Sequence, residues 1–224
     1  MKNGKKLIVI IERKKFINGI WDPYHYRIDD TKDTLSEYVT VQKISNGKNM
    51  QDSCFEPIEY KNIPKGQFLS FLLNKKTVSH YEKLPTIGEQ VLLVGTMRAY
   101  LGNVIVTPKS EWLGLNSPAY FSINSEFVEV TPKDGLYYFW WAFLKSPSFL
   151  HSLPTGSGGT RPRLNTESIL KIPVNIPPID IRKEIHEELF YLAQQEWNNN
   201  FRKELIISKL WEYNDEQHFK ERIN

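Results

Sequence analysis

The spacing of apolar and polar positions changes period along this chain, and the changes predict its elements. In EQVLLVGTMRAYLGNVIVT (89–107), apolar, β-branched-rich runs at 90–94 and 103–107 flank a connection holding Gly95, Arg98 and Gly102, which predicts two strands. AYFSINSEFVEVTP (119–132) alternates with period two and predicts one or two more. The period then turns helical. Leu136, Phe139, Trp140, Phe143 and Leu144 share one face, and Lys145-Ser146-Pro147 ends that helix. A short helix in LNTESIL, capped by Asn165 or Thr166, and a strand in KIPVNI (171–176) lead into Pro177-Pro178, where both patterns stop.

From an N-cap at Asp180 the pattern predicts one long helix. Ile181, Ile185, Leu189, Leu192, Ala193, Trp197, Phe201, Leu205 and Ile206 form its apolar stripe. Unbroken over 180–213 it would be roughly 50 Å long, with the poor helix formers Asn198-Asn199-Asn200 in its middle. A small domain cannot bury so long a stripe, so part of it is expected to meet another helix. Upstream, LIVIIE (7–12) reads as a buried strand or as a linker that packs. A short helix is expected from a cap near Thr34 toward Val41, and 55–70 should be irregular because Pro57, Pro64 and Gly66 interrupt it. The expected fold is a mixed α+β globular domain over 1–179, followed by a helical, coiled-coil-like arm over 180–224.

Composition adds three limits. A 224-residue chain that is 40% hydrophobic can bury one substantial core. The apolar run Leu7–Ile11 is too short for a signal-peptide core, and LYYFWWAFL (136–144) is too short to span a membrane. With a single cysteine, Cys54, no internal disulfide can form, so a soluble cytoplasmic protein is expected. Charge is divided unevenly: residues 1–180 hold 22 Lys+Arg against 17 Asp+Glu, a balance of +5, while 181–224 hold 7 against 9. A basic body with a slightly acidic tail suits a body that meets a polyanion and a tail that meets protein.

Candidate chemistry is sparse. NIPPI (175–179) has Ile176 between asparagine and the prolines and no following aromatic, so it is not the tetrad of a DNA methyltransferase. GSGGT (156–160) lacks the Gly-Lys-Ser/Thr ending of a phosphate-binding loop. Five scattered histidines give no metal-ligand spacing. Asp52, Glu59 and Lys61 could be arranged as in a metal-dependent nuclease, but a solvated loop explains them as well. No enzyme activity, metal or cofactor is expected.

What remains is TGSGGTRPRLNTESIL (155–170). Gly156, Gly158 and Gly159 free backbone amides for close approach, and Pro162 stiffens the segment between Arg161 and Arg163. Arginine is suited to bidentate contact with guanine edges or phosphates, and Ser157 and Thr160 can add hydroxyl contacts. The alternative is that one arginine pairs with an acid such as Glu167 and the glycines only turn the chain.

The order of Gly-Ser loop, arginine, short apolar helix, Ile-Pro-x-x-x-Pro-Pro and charged helix resembles the specificity subunits of type I DNA restriction-modification systems. The family's usual Pro-Pro-Leu-x-x-Gln-x-x-Ile is here Pro177-Pro178-Ile179-Asp180-Ile181-Arg182-Lys183-Glu184-Ile185, without the glutamine. GEQVLLVGTMRAYLGNVIV (88–106), LNSPAYFSIN (115–124) and LYYFWWAFLKSPSF (136–149) are similar to the segments that precede it, with Glu89 in place of an aspartate.

The resemblance implies a target recognition domain that binds double-stranded DNA, with Arg98, Tyr100, Asn103, Ser157, Thr160, Arg161 and Arg163 as candidate contacts. It implies a helix that pairs through Ile181, Ile185, Leu189, Leu192, Trp197 and Phe201, in a homodimer or in one half of a two-domain subunit. The implied partners are an adenine methyltransferase subunit and a restriction-translocase subunit. The alternative is a protein-interaction module that acts through its helix and binds no DNA.

Overall fold

The computed structural model describes residues 33–44, 55–74, 84–123, 126–154 and 163–223, with side chains as far as 211. The expected strand at 7–12, Asp52 and the loop residues Ser157, Thr160 and Arg161 lie outside the described residues.

The described elements are six strands and four α-helices, with short 3-10 turns among them. The strands are β1 (Val39–Lys43), β2 (Thr86–Ile87), β3 (Leu92–Gly95), β4 (Val104–Val106), β5 (Phe121–Ser122) and β6 (Phe127–Pro132). The helices are α1 (Tyr137–Lys145), α2 (Pro147–Ser152), α3 (Thr166–Leu170) and α4 (Ile179–Ile223). β1, β6, β3 and β4 form an antiparallel sheet in that order, with Leu92 opposite both Val130 and Val106. β2 and β5 pair separately. β3 and β4 are buried at every position, as their apolar runs require.

Against the sheet lies α1, whose aromatics are core: Tyr138, Phe139, Trp140 and Trp141 are all buried. Trp141 Nε1 donates to the Val104 carbonyl at 3.1 Å, so even its polar atom is satisfied by the sheet. The fold is α+β with a long C-terminal helix, as the apolar periods predict.

Three local expectations are corrected. The segment after Thr34 is a single 3-10 turn, Leu35–Glu37, and then strand β1. Its N-terminal signal is real, since Thr34 N donates to Glu37 Oε1 at 2.9 Å. The following VTVQK, however, gains more by pairing with β6 than by extending a helix. KIPVNI forms one bridge, Thr34 with Pro173, flanked by bonds from Leu35 N to Ile172 O and from Val174 N to Asp33 O. Pro173 and Pro177 donate no N–H, which limits the ladder there. Helix α4 begins one residue before the expected cap: Pro178 O accepts from Arg182 N at 3.1 Å, and Asp180 lies within the first turn.

The apolar stripe of α4 divides in two. Arg182, His186, Phe190, Ala193, Trp197 and Phe201, at steps of four and three residues, face the body of the domain. Trp197 is 3% exposed and meets Phe71 edge-on at 5.0 Å, so it is a core residue rather than a partner-facing one. Leu189 packs partly against the core, and Phe201 fills the space beside Gly114. Ile181, Ile185, Leu192, Ile206 and Leu210 remain exposed on the neighbouring face. The helix runs on through Asn198–Asn200 because the domain holds it there: Asn200 Nδ2 donates to Ser70 Oγ at 2.8 Å.

Two polar clamps fix this helix. Near its start, Arg182 pairs with Asp134, both largely buried, and Asp134 Oδ1 also accepts from Leu136 N (3.1 Å) and Trp140 Nε1 (3.0 Å). Further on, the Glu196 carboxylate accepts from Leu69 N and Ser70 N, each at 3.1 Å, and from Ser70 Oγ at 2.5 Å.

Candidate nucleic-acid interface

The turn joining β3 to β4 and the end of the Gly-Ser loop are neighbours in space. Met97 and Arg163 form an antiparallel bridge, and Leu164 N donates to Thr96 O at 3.0 Å. These backbone bonds bring Arg98, Tyr100 and Asn103 to the same edge of the domain as Arg163, across some sixty residues of sequence. Two segments that the sequence offers as separate candidates are therefore one surface.

Close packing of three elements builds this edge. Gly95 is required where it stands, since a β-carbon there would sit 2.4 Å from Tyr60 Cε1 and 3.0 Å from Asn103 Cβ. Tyr60 accepts from Met97 N at 3.2 Å and donates to Glu126 O at 2.8 Å, so its hydroxyl ties the turn to the start of β6. Burial pushes the Tyr60 phenol up to about 12, which keeps that donor protonated across the physiological range. Thr96 reinforces the tie with two bonds to the same carbonyl, each 2.9 Å.

The Glu126 side chain takes Arg163. Arg163 Nε donates to Oε2 at 3.0 Å and Nη2 pairs with Oε1, a two-point contact. The carboxylate raises the guanidinium's already high pKa. The sequence offers Glu167 as the pairing acid, but the partner is Glu126, and Glu167 N instead donates to the Asn165 cap at 3.1 Å. Arg163 is thus held at one edge, with its side chain still 58% exposed.

On the turn, Arg98 and Tyr100 are exposed, while Asn103 is half-buried and its carbonyl accepts from Gly95 N at 2.8 Å. Arg98 adopts left-handed backbone angles, φ 50 and ψ 48, without being glycine. Glu59 and Lys61 form an exposed ion pair at 2.8 Å, and no group of metal-ligating side chains occurs among the described residues.

A sequence model for the "Type I restriction modification DNA specificity domain" matches residues 18–206, most of the chain. The chain belongs to that family. No curated protein matches it in sequence. A chain solved in "Structural basis underlying complex assembly and conformational transition of the type I R-M system" is similar at 13% identity and a TM-score of 0.43. The match covers 84% of this specificity domain and 48% of that chain, so the present sequence spans about half its length. No helix among the described residues of the specificity domain is long and apolar enough to cross a membrane.

Several residues that shape this surface carry no sequence signal for their role. Tyr60 lies in a segment broken by proline and glycine. Glu126 is a turn residue just before β6, and its partner is 37 residues away.

Proposed function

We propose that this specificity domain reads a short double-stranded DNA sequence and directs a separate adenine-N6 methyltransferase subunit to it. Residues 1–179 would form the recognition domain and 180–224 the helical arm, with a restriction-translocase subunit joining in the cytoplasm and no catalysis in this chain. The family match over 18–206 carries the proposal. The surface shared by Arg98, Tyr100, Asn103 and Arg163 supports it, because cations on a rigid edge can position a duplex while neighbouring side chains read bases. Ser157, Thr160 and Arg161 extend the candidate contacts. The exposed face Ile181, Ile185 and Leu192 of α4 suits pairing with the helix of a second copy or of another half-subunit.

One observation favours a second reading, an interaction module that acts through its helix and binds no DNA. Arg163 already has an internal carboxylate partner, which lowers its value as a DNA contact.

Binding to a randomised duplex library at two salt concentrations, with the methyltransferase subunit co-expressed, separates the two. Enrichment of a short motif whose affinity falls as salt rises, weakened by Arg98→Ala, supports DNA reading. No enrichment with the partner present leaves the interaction module.

A further inference from the structure

Tyr100 and Leu101 stand in solvent, 57% and 59% exposed, between two strands that are buried at every position. The turn is built to hold them there. Ala99 points inward and is buried, and the left-handed residues Arg98 and Gly102 bracket the 3-10 turn Ala99–Leu101. Leu150 sits 3.2 Å from where a Gly102 β-carbon would be, and the bonds from Leu101 N to Arg98 O and from Gly102 N to Ala99 O close the turn. A left-handed arginine is a strained choice, and such strain persists where the surroundings impose it and where it serves a function. Here it presents two large, partly apolar side chains together, beside the cations Arg98 and Arg163.

We infer that Tyr100 and Leu101 form an apolar reader for a thymine methyl group in the major groove. This rests on the DNA-reading proposal above. Base edges in that groove display hydrogen-bond donors and acceptors and one apolar feature, the thymine C5-methyl, whereas the minor groove displays none. An exposed leucine on a DNA-facing turn therefore gains most by covering that methyl. Tyr100 adds ring surface next to it, and its hydroxyl is free to remain in water.

The test uses the full chain co-expressed with its methyltransferase subunit and the motif selected from the random library. Each thymine of the motif is replaced in turn by deoxyuridine, which removes only the methyl. Binding should weaken about four-fold at one position, the effect of returning one methyl to water. The Tyr100→Ala/Leu101→Ala variant, whose altered side chains are exposed and whose thermal midpoint should match the parent, should bind thymine and deoxyuridine duplexes equally at that position.

A selected motif with no deoxyuridine-sensitive position overturns the inference and leaves DNA reading intact. The same sensitivity in parent and variant also overturns it, since another residue then reads the methyl. Loss of methyltransferase association in the variant, with deoxyuridine sensitivity unchanged, shows the pair to be a protein contact instead. Failure to select any motif removes the DNA-reading proposal itself.

Discussion

Arg163 and Glu126 meet at two points, Nε on Oε2 and Nη2 on Oε1, and this pair joins the end of the Gly-Ser loop to the first residues leading into β6. Here the acid holds a cation at the candidate DNA-facing edge and masks part of its charge. Glu126→Gln should therefore release the guanidinium to a phosphate. Affinity for random duplex at low salt should rise, and the slope of log affinity against log salt should steepen by about 0.9, the value for one added phosphate contact. An unchanged slope would mean that Arg163 does not reach the duplex.

Two glycines are predicted to be irreplaceable and a third to be dispensable. Gly95→Ala drives a β-carbon into the Tyr60 ring, and Gly114→Ala, at φ +66, drives one to 2.5 Å from Phe201 Cζ. Each should lower stability by about 1–3 kcal/mol in urea unfolding. Gly88→Ala meets nothing within 4 Å and should stay within about 0.5 kcal/mol of the parent.

The Arg182–Asp134 pair is predicted to matter through what its loss leaves behind. Arg182→Ala strands a largely buried carboxylate that must also serve Leu136 N and Trp140 Nε1. The expected cost is about 3 kcal/mol, read from the urea midpoint at unchanged slope.

Glu196 should govern how tightly α4 is held to the 68–72 segment. Glu196→Ala removes the shared acceptor of Leu69 N and Ser70 N. Hydrogen exchange at those two amides should accelerate at least ten-fold, while amides of β3 and β6 keep their protection. Equal acceleration throughout the sheet would instead indicate global destabilisation.

His186 gives the domain a defined acid sensitivity. Its Nδ1 accepts from Tyr138 N at 3.2 Å, a bond that only the neutral ring can make in that geometry. Burial holds its pKa below 6.5, against the opposing pull of Asp134 and Glu187. Between 6.5 and the lower folded-state value the unfolded chain binds more protons, so this group's contribution falls as pH drops through that window. Above 6.5 it should be flat. His186→Gln should remove this part of the pH dependence in thermal unfolding, and an unaltered profile would contradict the assignment.

Local pattern made six elements legible: β6, α1 and α4 by the side-chain period of their element, β3 and β4 by continuous apolar runs, and α3 by its cap. It misread VTVQK after Thr34, where a genuine helix-start signal precedes residues that pair with β6. It missed β2, which at two residues has no period to detect, whereas β5 and β6 are the two strands that 119–132 allows. In the candidate site the residue types were visible at Arg98, Tyr100 and Asn103. The choice of Glu126 over Glu167 for Arg163 was not, because pairing depends on which strand passes beside the loop.

The sequence by itself determined most of the elements, the long helix and the family, since periodicity, caps, proline stops and ordered motifs are local properties of the chain. Tertiary structure decided which of those features meet. The Met97–Arg163 bridge makes one surface of two distant segments, and packing of Trp197 against Phe71 turns half of an apparently uniform stripe inward. Both outcomes depend on close contact between residues far apart in the chain, and a one-dimensional pattern does not encode which pairs make it.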